Sequence, residues 1–292
     1  MTQTSLERGT VGPRLARLSA PRAQRPAQPV LLHATALRNQ QVRSDYWSLR
    51  LEAPAIAERA QPGQFVMLTV ARLDEASPIL PRPMAIYAWD RTAGTIEIVY
   101  RIVGQGTKTL ATWRPGETMT VVGPLGIGFQ LKPAAAAILL LGRGIGTCSL
   151  TALAEHAVRR AVSVYAVASG RNRQAIVGAK FYRRIGATEV LEVADDDGSS
   201  HPDALRARLL ALVDGRPLDQ IFVCGSQRLL RLAVALGQQC DAEVQVSLEA
   251  HMACGLGYCH GCSTGAPGLA AEAPLVCTEG PVFASVGEEL AS

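Results

Sequence analysis

Near residue 133 the hydrophobic rhythm of the chain changes, and no single sheet accommodates both rhythms. Between residues 30 and 132, short runs such as "YWSLRLEAP", "GQFVMLTV", "TIEIVYRIV" and "ETMTVVGP" carry β-branched and aromatic residues at period two, cut by Gly and Pro. That pattern predicts antiparallel strands forming a barrel or sandwich. From Ala134 the strand candidates are "AILLLG", "VSVYAVA", "EVLEVA", "QIFVCG" and "EVQVSLE". Between the first two, Leu150, Leu153, Ala154, Ala157 and Val158 fall at helical spacing, and Leu205–Val213 and Leu229–Leu236 repeat the pattern later. Strands alternating with amphipathic helices predict a parallel, doubly wound sheet over 133–248. A length of 292 residues leaves room for two or three domains.

The last stretch, 249–292, follows neither rhythm. "EAHMACGLGYCHGCSTG" (Glu249–Gly265) and "PLVCTEGPVF" place four cysteines at C-x4-C-x2-C-x14-C. Structural zinc sites pair two CxxC knuckles, and here there is one. Seven cysteines, an odd number with four clustered, argue against a disulfide scaffold and for a reducing cytoplasm. A three-cysteine loop with a distant fourth is the plant-type [2Fe–2S] spacing. It points to Cys254, Cys259, Cys262 and Cys277 as ligands, ahead of zinc or unligated thiols. Gly255, Gly257 and Gly261 let the backbone fold closely with N–H groups aimed at sulfur. His251 and His260 read as surface or outlying residues, because four thiolates already suffice. The segment is too small and Gly/Cys-rich to build its own core, so a metal site or similar staple is expected to hold it.

"LLLGRGIGTCSLTALAEHA" sets Gly142, Gly144 and Gly146 between an apolar strand and an amphipathic helix. There a pyrophosphate can approach the backbone and meet free N–H groups at the helix N-terminus. "VCGS" (Val223–Ser226) ends a later strand, where ligands of open α/β sheets sit; Cys224 is either a packed thiol or a residue near a nicotinamide. In the first unit, Gly104-Gln105-Gly106-Thr107 opens a short helix and reads as a phosphate-binding turn, with backbone N–H groups and the Thr107 hydroxyl as donors. Arg82, before Pro83, is either an ordinary surface arginine or part of the same site. Cys240 reads as a small buried hydrophobe.

Charge narrows the partners. Residues 1–29 hold five arginines and one acid, which is the whole net charge of +4, so the rest of the chain is balanced. A balanced body carries no electrostatic footprint for nucleic acid. The Pro-, Ala-, Gln- and Arg-rich tail is expected to be disordered; a transit peptide is the lesser reading, since no amphipathic helix shows. The longest apolar run, Ala134–Leu141, is too short to cross a membrane.

Together these segments resemble the ferredoxin–NADP reductase superfamily, and within it the electron transfer subunits of NAD-linked, type B dihydroorotate dehydrogenases. The resemblance runs from about Val30 to Phe283. It rests on "PGQF" (Pro62–Phe65), "RPMAI" (Arg82–Ile86), "VYRIVGQGT" (Val99–Thr107), "GPLGIGF" (Gly123–Phe129), "GRGIG" (Gly142–Gly146), "DDGS" (Asp196–Ser199) and the cysteine loop. It implies an FAD-binding barrel over 30–132, an NAD-binding α/β domain over 133–248 and a [2Fe–2S] module over 249–292. FAD would be held by Arg82, Pro83, Met84 and Ala85, by Val99, Tyr100 and Arg101, and by Gly106 and Thr107. NAD(H) would lie at Gly142, Gly144, Gly146 and Thr147, with Cys224 and Gly225. No side chain is implied as a catalyst; the cofactors carry the chemistry, passing electrons between NAD(H) and a separate, FMN-containing catalytic flavoprotein in a hetero-oligomer of pyrimidine biosynthesis.

Three departures stand out. Ala85 takes the place of the usual Ser; Arg143, Thr147 and Cys148 stand where Gly, Pro or small residues are commoner; and Ser226 replaces a Pro. They motivate a second reading, the NADH-dependent reductase component of an oxygenase or catabolic dehydrogenase. A third, of another class, is a non-enzymatic cluster or zinc module without flavin. Arg171 and Arg173 suit either a 2′-phosphate or the adenine side of NAD, and NAD is preferred.

Overall fold

A computed structural model describes residues 18–19, 28–213, 215–265 and 273–285. Apart from residues 18–19 and 28–29, the tail expected to be disordered lies outside them. The short strand β1 (Leu18–Ser19) pairs with the last strand of the chain, described below. No helix among the described residues is long and apolar enough to cross a membrane.

The period-two runs form an antiparallel sheet: β2 (Val30–Arg43), β3 (Tyr46–Glu52), β4 (Phe65–Leu68), β5 (Arg82–Ala85), β6 (Ala88–Asp90), β7 (Thr95–Arg101) and β8 (Thr118–Leu125). Their order is β5-β4-β8-β2-β3-β7-β6. Edge strand β5 returns beside β7, curling the sheet into a barrel. Register explains the burial pattern: Leu49 faces Ile98 and Leu51 faces Ile96, all four fully buried, while Ser48 and Arg50 point the other way. Helices α1 (Pro54–Arg59) and α2 (Gln105–Leu110) plug the ends with Ile56 and Leu110.

The continuous runs form the second sheet. β9 (Ala137–Arg143), β10 (Ser163–Gly170), β11 (Glu189–Ala194), β12 (Gln220–Cys224) and β13 (Glu243–Ser247) are parallel, in the order β13-β12-β9-β10-β11. Helices α3 (Gly146–Ser149), α4 (Thr151–Arg159), α5 (Ala179–Arg184), α6 (Pro202–Val213) and α7 (Gln227–Cys240) connect them. Along β9, Ile138 and Leu140 pack toward α4 and α5, and Leu139 and Leu141 toward α6 and α7. Burial on both faces is why these strands read as unbroken apolar runs. The six-residue α5 escapes the periodicity reading because it is too short to show a stripe. The order reverses between β9 and β12, which opens a crevice at their carboxyl ends.

β14 (Val282–Ser285) pairs antiparallel with β13 on one side and β1 on the other. The cysteine segment is therefore not held by a staple alone. Cys262, Val276, Cys277 and Phe283 join Phe65, Met67 and Leu125 of the barrel and Leu139 of the sheet in one continuous core. The link between barrel and sheet is also stitched down. Gln245 and Gln220, both fully buried on β13 and β12, accept from the Gln130 N–H at 2.9 Å and the Lys132 N–H at 2.8 Å. Each donates back to the Gln130 carbonyl at 2.8 Å. Buried amides are tolerated where they are satisfied in this way.

Candidate functional site

A cleft of about 1110 Å³ lies where barrel, parallel sheet and the approach to the cysteine loop meet. The barrel wall is made by Arg82, Pro83, Met84 and Ala85 on β5 and by Val99, Tyr100 and Arg101 on β7, with Thr107 behind them. Gly106 sits under Arg82: a side chain there would collide with the Arg82 guanidinium, which occupies the space over the first turn of α2. This pairs a fixed cation with backbone N–H groups at one end of the cleft, the donor set a diphosphate takes. The Thr107 hydroxyl shapes that turn from within. It accepts from the Val103 and Gly104 N–H groups at 2.9 and 3.2 Å and donates to the Gly104 carbonyl at 3.1 Å.

Opposite stands the glycine turn, and its glycines do different jobs. Gly144, in the left-handed region at φ 52°, lines the cleft and donates its N–H to the Ser169 carbonyl at 2.8 Å. Gly146 instead packs backbone to backbone on Gly225, whose Cα would stand 2.7 Å from an added Cβ. Gly142 is covered by Thr147 in the same way. Gly225 faces the cleft; Gly142, Gly146, Thr147 and Cys224 lie behind it. Burial pushes the Cys224 thiol up to about 12 against the lowering effect of hydrogen bonds with Ser149 and Ser247, so it is a neutral thiol. Burial raises Cys148 as well.

Several lining residues escaped the sequence reading. Tyr46, almost wholly buried, presents its ring to the Arg101 guanidinium at 5.9 Å and its hydroxyl to Gly144. Asp45 pairs with Arg101, and Arg43 reaches across to donate to the Arg173 carbonyl at 2.8 Å. The hairpin between β2 and β3 thus spans both domains; its contacts are long-range, and only the polar turn Ser44–Asp45 marks it in sequence. Glu249 and His251 line the floor before the cysteine loop, and burial raises the Glu249 carboxyl. Arg143, on the cleft wall, donates both arms to Asp195 at 3.0 and 2.6 Å, and Asp195 also accepts from Arg228 at 2.7 Å.

The four cysteines come together. Cys254 Sγ accepts the Leu256 and Cys259 N–H groups at 3.4 and 3.5 Å, and both Cys262 and Cys254 act on the Cys277 thiol. Cys259 is exposed, Cys254 half-buried, and Cys262 and Cys277 buried. Burial works to raise the Cys254 thiol, but N–H groups of Leu256, Cys259 and Tyr258 outweigh it and bring it down to about 7. Burial, with Cys262 alongside, drives Cys277 up to about 12 although the Gly257 N–H opposes it. Among the described residues, no group of three or more His, Cys, Asp or Glu converges as a single ion would need. Thiols with N–H groups turned to sulfur fit a cluster of two irons that takes four thiolates.

Residues 249–287 match the family model of the iron–sulfur cluster binding domain of dihydroorotate dehydrogenase B. Over 242 residues the chain is 38% identical to the dihydroorotate dehydrogenase B (NAD(+)) electron transfer subunit of Bacillus caldolyticus, covering 81% of this chain and 90% of that one. The namesake from Geobacillus kaustophilus gives the same 38% identity and the same 81% and 90% coverage. Among solved structures, an NADH-dependent reduced ferredoxin-NADP oxidoreductase superposes with a TM-score of 0.71 at 22% identity, covering 86% of this chain and 88% of that one. That likeness shows the fold: an antiparallel barrel joined to a parallel sheet. The identity shared along most of both chains shows more, and on it the chain belongs to the dihydroorotate dehydrogenase B electron transfer subunits.

Proposed function

We propose that this chain carries electrons between NAD(H), FAD and a [2Fe–2S] cluster, to or from a separate catalytic flavoprotein subunit that holds FMN and turns over dihydroorotate in the cytoplasm. One observation carries the reading: a single cleft is walled by β5 and β7, by the glycine turn and by the segment that runs into the cysteine loop. Bound FAD supplies the exchange between hydride and single-electron chemistry, and the cluster carries electrons singly.

The chain's own residues position and insulate. Arg82 and the turn at Gly106 anchor a diphosphate, while Pro83, Met84 and Ala85 lay an apolar strand along the cleft. Gly144 and Gly225 leave room above the carboxyl ends of β9 and β12 for a second planar group. Cys224, Ser149 and Ser247 back that space with a neutral thiol and hydroxyls, with the Glu249 carboxyl beside them. Residues 249–252 line the cleft and Cys254 stands two residues beyond, which keeps the exit short. Seven free cysteines suit a reducing compartment.

The test is an anaerobic titration of the purified chain with NADH, followed by visible absorption and electron paramagnetic resonance. Flavin bleaching together with a cluster signal is expected; a colourless zinc protein overturns the reading. Adding the FMN subunit with dihydroorotate should reduce the same centres in the absence of NADH. If they stay oxidised, the partner is a different oxidoreductase.

A further inference from the structure

We propose that Arg143 holds the diphosphate of the dinucleotide, so that a side chain rather than the backbone of the glycine turn supplies the positive charge at that wall of the cleft. The inference rests on the reading above, and deepens it at the nucleotide site.

The stretch "GRGIG" predicts a diphosphate held by free N–H groups at a helix N-terminus. The structure spends much of that backbone elsewhere. The Gly144 N–H donates to the Ser169 carbonyl at 2.8 Å, the Thr147 N–H to the Gly144 carbonyl at 3.1 Å and the Cys148 N–H to the Ile145 carbonyl at 2.9 Å. Gly146 is packed on Gly225. Helix α3 is a single turn of 4 residues, so few peptide dipoles add up at its start.

Arg143 stands within this turn and lines the cleft. Its carbonyl packs against Gly225, where no side chain fits, and that fixes its backbone. Its side chain runs from the end of β9 across the neighbouring strand ends. Nη1 donates to the Ser169 hydroxyl of β10 at 3.2 Å, and both arms reach Asp195, just after β11. The guanidinium thus spans the carboxyl ends of adjacent strands, where a dinucleotide runs in an open α/β sheet.

A neutral ion pair would offer an anion little, and this one is not neutral. Asp195 is shared with Arg228 at 2.7 Å and accepts the Ser200 hydroxyl at 2.5 Å. Burial works to raise the Asp195 carboxyl, but hydrogen bonds from Arg143, Ser200 and Arg228 outweigh it and hold the group well below the usual carboxylate range. Two guanidiniums on one ionised carboxylate leave a surplus positive charge. Ser169 and Asp195 take the Nη1 donors and one Nη2 donor of Arg143. The Nε donor and the second Nη2 donor remain for phosphate oxygens. The other arginines at this end are less suited. Arg173 is held by Asp197 at 3.1 and 2.8 Å, and Arg171 lines the cleft but is exposed.

The experiment measures binding of ADP-ribose to the FAD-loaded protein by calorimetry at several salt concentrations, with flavin reduction by NADH in parallel. The wild type should bind ADP-ribose more weakly as salt rises. Arg143→Gln should lower the affinity by about tenfold or more, flatten the salt dependence and raise the KM for NADH by a similar factor. Arg143→Lys keeps the charge without the fork and should recover part of the loss. Arg228→Gln removes only the surplus charge and should cost no more than about fivefold. Thermal melting checks that each variant is folded. An Arg143→Gln affinity within about twofold of the wild type overturns the proposal, as does a loss that leaves the salt dependence unchanged. If ADP-ribose binds through Arg143 but NADH does not reduce the flavin, the electron-transfer reading fails while this one stands. If ADP-ribose does not bind the wild type, this one fails.

Discussion

Gly255 of the cysteine loop lies directly on Met67 of the flavin-side barrel: a Cβ on Gly255 would stand 2.6 Å from the Met67 Cγ. The loop and the barrel are in van der Waals contact because this residue has no side chain, and because it sits at φ 70°, where glycine is favoured. Gly255→Ala should cost about 1–3 kcal/mol in chemical denaturation and slow the arrival of electrons at the cluster after flavin reduction. Met67→Ala alone should cost about 2–5 kcal/mol, because Met67 is buried in the shared core, and on the Gly255→Ala background it should cost less than that, since the clash is relieved. Strict additivity would show that the two side chains do not meet.

Cys259 and Cys277 separate the proposed ligation from packing. Cys259→Ser and Cys277→Ser should each remove the cluster signal and lower bound iron. Cys277 is in the shared core and Cys259 is exposed. Only Cys277→Ser should therefore lower the stability of the iron-free protein, by about 1–2 kcal/mol for an imperfectly satisfied buried hydroxyl. Equal melting of the two iron-free variants would refute the distinction.

Arg82 and Gly106 act as one unit. Gly106→Ala drives a methyl group into the guanidinium, so it should weaken FAD binding by about as much as Arg82→Ala, roughly tenfold or more for a charged phosphate contact. The two changes together should do little more than either alone. Flavin retained per protein after gel filtration reads this out, and additive losses would mean separate contacts.

Glu249 gives a pH dependence whose sign is set by desolvation of its carboxyl at the cleft floor, although the residue stays partly open to solvent. Its folded-state carboxyl is raised above 4.5, so its stabilising contribution is full below that value and is lost as pH rises through the raised one. Glu249→Gln should therefore gain on the wild type in melting temperature between pH 4 and 7. The gain should stay under about 1 kcal/mol because the side chain is partly solvated. A difference that shrinks with rising pH would mean that an unseen cation pairs with Glu249.

What sequence reveals here is what is local. The thiol loop is legible because three cysteines and their glycines lie within nine residues of one another, Cys254 to Cys262. The two sheets are legible because period-two and continuous apolar runs report one-sided and two-sided burial. Gly144 and Gly146 look alike in sequence, yet one faces the cleft and the other is a packing contact with Gly225, 79 residues on. Tyr46 and Arg43 reach the site only through the fold of a hairpin across two domains. Arg173 reads as a free cation until Asp197 is seen beside it.

Gln220 and Gln245 bear on how the molecule moves. By holding the connecting segment at the Gln130 N–H and carbonyl and at the Lys132 N–H, they remove the slack that a hinge would need. A reductase whose halves swing to bring centres together slows in glycerol as solvent friction rises. With its connector clamped, this chain should pass electrons internally at a rate that is indifferent to viscosity. Replacing both glutamines with leucine, which orphans the Gln130 and Lys132 N–H groups at about 1–3 kcal/mol each, should make the rate viscosity-dependent.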